Sequence, residues 1–143
     1  MSDEVLMLLR LLLACGLGMA VGLEREMAGK AAGFRTHALV CVGAALFTLV
    51  SLYAFETDVI GTDISRVAAG VVTGVGFLGA GAIMHREGGI IAGLTTAASI
   101  WAVAAIGLTA ASGLYWLAGL ATALILLLLR SDRFFKRRIG SDL

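Results

Sequence analysis

Five apolar stretches, almost free of charged residues, alternate with short polar links along this chain. Each stretch has roughly the 20 residues that a helix needs to cross the hydrocarbon core of a bilayer. The pattern predicts five transmembrane helices, and the short links make consecutive helices antiparallel neighbours in one bundle. The stretches are Val5–Leu23, His37–Phe55, Val67–Met84, Leu94–Ala111 and Leu114–Leu129.

The composition agrees with this prediction. Of 143 residues, 59% are hydrophobic and only 15% are charged, and the mean hydropathy is +0.97. These values lie outside the range of soluble globular domains. We therefore expect an all-α integral membrane protein in which residues 1–143 form a single transmembrane domain, with no room for a soluble catalytic domain. The first apolar stretch has no convincing cleavage site after it, so we expect it to be a retained helix.

The basic residues give an expected orientation. Positively charged links are retained on the cytoplasmic side of a membrane. An outside N-terminus leaves only Arg66 in the outer links. We expect a cytoplasmic C-terminus with a short basic tail at about residues 130–143. The residues then placed on the cytoplasmic face are Arg25, Lys30, Arg35, Arg86, Arg130, Arg133, Lys136, Arg137 and Arg138.

Small residues recur four positions apart in several of the predicted helices. Such stripes allow close helix packing, either inside the bundle or between subunits, and the sequence leaves this choice open. We expect a homo-oligomer, with a dimer favoured, and contacts with lipid and with other inner-membrane proteins, but no nucleic-acid partner. The stripes are Ala14, Gly18 and Gly22; Gly70 and Gly74; Ala98 and Ala102; and Gly119 and Ala123.

Two charges near the first link have the wrong sign for their helix dipoles. Glu24 lies at the C-terminal end of the first predicted helix, and Arg35 lies just before the second. One interpretation is a mutual ion pair that closes the loop, joined by Arg25 and Glu26. The other is a polar site for an ion or a partner, in which Glu24 is the candidate metal ligand. Both stay open from the sequence.

Three further arginines are secondary site candidates. Arg10 lies inside the first predicted helix, where it can snorkel to the interface or face the bundle interior. Arg66 begins the third helix, where Asp63 can cap the helix and pair with it. Arg86 lies in the polar link after the third helix.

A dense run of glycines ends the third predicted helix and continues into the next link. Gly76, Gly79 and Gly81 should weaken an ordinary helix, so the backbone there is a candidate functional feature. Residues 88–96 form either a re-entrant segment or a simple loop that leads into the fourth helix at Gly93. Thr95 or Thr96 is expected to cap that helix.

Other chemistry-bearing residues show no functional pattern. Cys15, Cys41, His37 and His85 lack partners at metal-ligand spacing. The chain shows no nucleophile elbow, phosphate-binding loop or zinc motif. We expect no enzymatic activity and no cofactor, with Mg²⁺ as a ligand or substrate at most.

Three blocks of the sequence resemble the signature blocks of the MgtC/SapB family of bacterial membrane proteins. They are GLEREMAGKAAGFRTHALVCVGAALF at 22–47, RVAAGVVTGVGFLGAGAI at 66–83 and GLTTAASIWAVAAIG at 93–107. The resemblance extends from Gly16 to Gly113. The positions it singles out are Glu24, Arg25, Gly33, Arg35, Thr36, Gly76, Phe77, Gly79, Gly81, Gly93, Thr95 and Thr96.

The resemblance implies an inner-membrane protein linked to growth at low magnesium and, in pathogens, to survival inside host cells. Some members of the family carry a soluble C-terminal domain of the ACT type, and this chain stops at Leu143. The first hypothesis is a membrane regulator that acts through partner membrane proteins. The second is a transporter or channel for magnesium or another ion. A third is an oligomeric scaffold, in which changes at Glu24 or Arg35 alter stability alone.

Overall fold

The computed structural model describes residues 2–53, 64–85 and 91–139. Within these residues the chain forms five α-helices and one pair of two-residue strands, which confirms the predicted all-α membrane bundle. The elements are α1 (Asp3–Met27), α2 (Phe34–Tyr53), α3 (Ile64–Ala82), β1 (Met84–His85), β2 (Ile91–Ala92), α4 (Leu94–Ala111) and α5 (Tyr115–Ile139).

Four of the helices, α1 to α4, are long and apolar enough to cross a membrane. In α5 the apolar part is the shorter segment Tyr115–Ser131, and the same helix continues into the basic tail. The expected orientation of the termini stays a prediction, because helix positions alone do not distinguish the two sides of a membrane.

The fourth helix lies at the centre of the bundle. Among the described residues, α4 contacts each of the other four helices. Half of the residues in its apolar segment are buried (50%), compared with 11% of those in the apolar segment of α3. Val21 from α1, Cys41 from α2, and Val103 and Ile106 from α4 are fully buried in the main core. The apolar pattern of α4 therefore reflects burial in protein, while much of α3 faces outwards.

Close helix contacts are made where glycine leaves room for a neighbouring backbone. A Cβ atom on Gly18 would lie 2.6 Å from Cys41 Cβ, and one on Gly22 would lie 2.7 Å from the Cα of Phe34. Gly107 allows the same approach between α4 and α2. The predicted stripe of Ala14, Gly18 and Gly22 is thus a packing seam inside the bundle, since all three are buried.

A second predicted stripe faces away from the core. Gly70 and Gly74 on α3 have open space where a Cβ atom would lie. They line an apolar groove between α3 and α2 with a volume of about 620 Å³, which Gly43 and Leu78 also line. Small residues therefore serve two different surfaces in this chain, one internal and one open.

The chain passes from α3 to α4 through a short antiparallel hairpin. Met84 pairs with Ala92, and His85 pairs with Ile91. Gly93 follows with a φ of +93°, and a Cβ atom there would overlap the Ala82 carbonyl oxygen. Only glycine fits both conditions. The described part of 88–96 is thus a strand and a helix start, while residues 88–90 lie outside the described residues.

Candidate functional site

A buried ion pair lies at the end of α1. The carboxylate of Glu24 accepts a hydrogen bond from Arg25 Nε at 2.6 Å, and Arg25 Nη2 lies 2.5 Å from the same Oε2 atom. Glu24 and Arg25 are 4% and 3% exposed. Arg25 Nη2 also donates to the carbonyl oxygen of Leu129 at 3.3 Å, which ties α1 to α5. The pair therefore places two compensating charges inside the protein near one end of the bundle.

A histidine and a serine join α2 to α4 beside this pair. His37 is fully buried, and its Nδ1 lies 2.9 Å from the carbonyl oxygen of Gly33. Its Nε2 lies 2.9 Å from Ser99 Oγ, which in turn donates to the carbonyl oxygen of Thr96 at 2.8 Å. Both Arg25 and Glu24 are close enough to act electrostatically on the imidazole. We call Glu24, Arg25, His37, Thr96 and Ser99 the polar cluster.

The hydrogen bonds of His37 accommodate two protonation states. The Gly33 carbonyl only accepts, so Nδ1 must carry a hydrogen in both states. A neutral imidazole then accepts at Nε2 from the Ser99 hydroxyl, whereas an imidazolium donates to Ser99, which donates to Thr96. The α2–α4 bridge therefore persists when a proton enters or leaves, through rotation of one hydroxyl.

Ser99→Ala tests the strength of this bridge. The change leaves Nε2 of a fully buried histidine without its hydroxyl partner, and we expect the free energy of unfolding to fall by about 1–3 kcal/mol. Thr73→Ala is the matched control, because Thr73 is exposed and bonds only within its own helix, to Ala69. Unfolding in detergent, followed by circular dichroism, measures both. Equal losses in the two variants would contradict the role of the bridge.

His37 and Ser99 were not predicted as site residues. Each is a single polar residue in an apolar stretch, and they are 62 positions apart. The available signal was a histidine in an apolar stretch long enough to span the membrane, because polar groups at membrane depth need partners.

The structure places Arg35 and Thr36 away from the polar cluster. Both are exposed, and they line a cavity of about 510 Å³ together with Glu26, Gly33 and Phe34. There Glu26 Oε2 accepts from the backbone N–H of Phe34 at 2.9 Å, so Glu26 caps the start of α2. The sequence suggested an ion pair of Glu24 with Arg35 that Arg25 could join, and the structure shows an ion pair between Glu24 and Arg25.

The two threonines at the start of α4 do not cap it. The N-cap is Gly93, which makes no side-chain cap bond, and the helix begins at Leu94. Thr95 is therefore inside the first turn and exposed, whereas Thr96 is buried and supplies its carbonyl oxygen to Ser99. The capping prediction is wrong because Gly93, two residues before Thr95, already turns the chain into the helix with its positive φ.

The glycine-rich end of α3 is regular helix. The helix continues to Ala82, so Gly76, Gly79 and Gly81 lie within regular helix, and their functional role stays a prediction. Gly79 packs on Ala97: a Cβ atom added at Gly79 would lie 3.6 Å from the Cβ of Ala97. Gly76 and Gly81 border open space. Contact with α4 therefore supports the helix at Gly79.

Arg10 lies at the other end of α1. Its Nη1 donates to the Ala111 carbonyl oxygen at 2.9 Å and to Tyr53 Oη at 3.3 Å, and its Nε donates to Tyr115 Oη at 3.1 Å. Arg10 thus faces neighbouring helices and joins α1 to α2 and to the α4–α5 turn. Arg66 is exposed on α3. Its expected partner Asp63 and the candidate Arg86 lie outside the described residues.

Metal binding has little support in the described geometry. Among residues 2–53, 64–85 and 91–139, no group of three or more His, Cys, Asp or Glu side chains is placed to hold a metal ion. Mg²⁺ prefers six oxygen ligands, often one or two carboxylates with water. The Glu24 carboxylate is the buried candidate, and Arg25 already neutralises its charge.

The fold and the polar cluster define a multi-pass helical membrane protein with a charged centre buried near one end. The model of the MgtC family matches residues 11–138. The chain belongs to the MgtC family and is a multi-pass protein of the bacterial inner membrane. No solved structure matches it.

Three curated relatives illustrate the match. "Putative magnesium transporter YhiD" of Escherichia coli (strain K12) is 50% identical over 132 residues, covering 90% of this chain and 60% of the relative. Protein MgtC of Salmonella typhimurium (strain LT2) is 45% identical, covering 88% and 53%. Protein SapB of Bacillus subtilis (strain 168) is 37% identical, covering 94% and 60%. The chain thus spans between 53% and 60% of these relatives' lengths.

Proposed function

We propose that this chain is a membrane regulator in magnesium homeostasis and adaptation to low magnesium, and that it acts by binding other inner-membrane proteins. The observation that carries the proposal is the open side of α3. Gly70 and Gly74 there leave room for another backbone, beside the apolar groove that Leu78 also lines. Small residues on an exposed transmembrane face allow a second helix to approach closely.

The interior of the bundle supports lateral binding over conduction. The main core is filled by side chains such as Val21, Val103 and Ile106, and the buried Glu24 is paired with Arg25. A conducting path for a hydrated cation needs polar ligands in series. Among the residues whose side chains the structure describes, Glu24 is the one acidic side chain that is buried.

Site-directed photocrosslinking in native membranes tests the proposal. A photoreactive residue at Leu78, which is 51% exposed in the groove, should give a specific membrane-protein adduct in cells grown at low magnesium. The same probe at Leu124, 61% exposed on α5, is the matched control. Gly74→Leu should fill the groove and abolish the adduct at Leu78 while the protein remains folded. Adducts only with lipid or with the chain itself would contradict the proposal.

The alternative function is magnesium transport. The name of the Escherichia coli relative describes a magnesium transporter, and Glu24 is a carboxylate buried near one end of the bundle. Proteoliposomes containing a magnesium-sensitive dye should then show flux that Glu24→Gln removes. If folded wild-type protein gives no magnesium or proton flux above empty vesicles, transport is eliminated.

A further inference from the structure

A cluster of hydrogen-bond donors surrounds Arg10, far from the polar cluster. Arg10 and Glu24 are separated along α1 by about 21 Å at the helical rise of 1.5 Å per residue. The guanidinium has five N–H groups, and the structure gives three of them acceptors: Tyr115 Oη, Tyr53 Oη and the Ala111 carbonyl oxygen. The two N–H groups of Nη2 have no acceptor among the described residues.

The two tyrosines add two more donors. Each phenolic oxygen accepts from Arg10, so its own O–H hydrogen is left to donate. Neither hydroxyl of Tyr53 and Tyr115 donates to a protein acceptor in the described part of the chain. Four donors, two from Nη2 and one from each tyrosine, therefore lie around one positive charge.

Gly113 brings part of this donor set together. A Cβ atom at Gly113 would lie 3.2 Å from Arg10 Nη2 and 3.9 Å from Tyr115 Oη. The two donors thus share the space beside this glycine, whose φ of +83° turns the chain between α4 and α5.

The described residues place no carboxylate next to the charge of Arg10. Among the described residues, no Asp or Glu oxygen lies within ion-pair distance of its guanidinium, and the ion pair that is present joins Glu24 to Arg25. Asp3 and Glu4 are seven and six positions earlier, about 10.5 Å and 9 Å along the helix axis. A cation with several unused donors is the environment that binds an oxyanion, because charge-assisted hydrogen bonds to phosphate are strong.

The location of the donor set favours a lipid headgroup as the source of a bound phosphate. The donor set lies about two turns inside α1, beside the end of α2 and the α4–α5 turn, near the end of the membrane-spanning bundle. The residues that follow Gly113 expose large apolar surfaces, with Trp116 88% exposed and Leu114 and Leu117 each 55% exposed. Tyrosine and tryptophan are typical of the membrane–water interface. Lipid acyl chains can cover these side chains while the headgroup reaches Arg10.

We propose that Arg10, Tyr53 and Tyr115 form a binding site for the phosphate of a phospholipid headgroup. Arg10 supplies the charge and the two Nη2 hydrogen bonds, and the tyrosine hydroxyls supply the others. The site is independent of the regulatory function proposed above.

Binding of phosphatidylglycerol to purified, delipidated protein tests the site. Native mass spectrometry counts the retained lipid, and the rise in melting temperature on lipid addition gives a second readout. Arg10→Gln should weaken binding roughly tenfold or more, since hydrogen bonds to charged groups are among the stronger ones. Arg66→Gln is the matched control, because it removes one exposed positive charge from a helix that starts on the same side of the bundle. It should bind phosphatidylglycerol within about twofold of wild type, as expected for an exposed charge.

Two further arms separate the alternatives. Diacylglycerol has the same acyl chains without the phosphate and should give no rise in melting temperature. Inorganic phosphate alone should give no comparable rise, and an equal rise would show a free-phosphate site and overturn the lipid assignment. If Arg10→Gln does not fold, the pair Tyr53→Phe and Tyr115→Phe keeps the cation and should still weaken binding severalfold. Binding unchanged in the variants, or equal for diacylglycerol, would overturn the proposal.

Discussion

Gly107→Ala is expected to lower the free energy of unfolding of the bundle by about 3 kcal/mol, the upper part of the range for overpacked cores. Gly107 is buried where α4 crosses α2. An added Cβ atom would overlap the carbonyl oxygen of Cys41 and lie 3.1 Å from the Cβ of Ala44. The atoms it meets belong to the backbone and to a short side chain, so neither can rotate away. The two helices must separate, and α4 contacts every other helix of the described bundle.

Gly43→Ala is the matched control for this prediction. Gly43 is also a glycine within a membrane helix, but no atom lies within 4 Å of the position of its Cβ. Its replacement should change stability by less than about 1 kcal/mol, which is the scale of the difference in helix propensity between the two residues. Reversible unfolding in mixed detergent micelles measures both variants. Similar stability losses at the two positions would show that close packing at Gly107 is not the cause.

The difference between these glycines also shows what the sequence can predict. Spacing identifies stripes of small residues, but it does not say which stripe faces another helix. Gly18 and Gly107 are packed against neighbouring helices, whereas Gly43, Gly70 and Gly74 face open space. The orientation of each helix about its own axis decides this, and it depends on contacts between segments distant in sequence.

Helix positions were predicted well because the membrane requires a minimum apolar length. The predicted fourth stretch coincides with α4, Leu94–Ala111. Glycines with positive φ, Gly93 and Gly113, lie just before and shortly after this helix. The first helix is longer than its apolar stretch, because α1 continues through Glu24 and Arg25 to Met27. Backbone hydrogen bonds extend a helix regardless of the side chains' hydrophobicity, so charge marks where an apolar stretch ends and not where its helix ends.

The candidate site was predicted in part. Glu24, Arg25 and Thr96 were named, and the structure places them in or beside the buried cluster. The expected pair of Glu24 with Arg35, joined by Arg25, assumed that charges across a short loop would meet. Instead the Arg25 side chain folds back along its own helix to reach its sequence neighbour. The direction of such a side chain depends on its tertiary contacts. Here Arg25 also donates to the carbonyl oxygen of Leu129 on α5.

Arg25→Gln is expected to lower the free energy of unfolding by about 3–5 kcal/mol, the range for breaking a buried ion pair. The change removes the guanidinium that contacts the Glu24 carboxylate and the bond to Leu129. Because Glu24 is only 4% exposed, water cannot replace the lost charge. Arg35→Gln is the matched control, since Arg35 is an exposed arginine that follows the same loop, and it should cost less than about 1 kcal/mol. Equal losses would favour Arg35 as the true partner.

The double variant Glu24→Gln with Arg25→Gln separates a structural pair from a functional site. Neutralising both partners removes both charges of the pair, so most of the stability lost in Arg25→Gln should return. If the Leu78 crosslink, or any magnesium flux, returns together with stability, then the pair serves only to hold α1 in place. If the protein is stable again but the crosslink or flux stays absent, the Glu24 carboxylate itself takes part in the function. If adding Glu24→Gln to Arg25→Gln lowers the stability further, the two charges do not compensate each other, and both interpretations are contradicted.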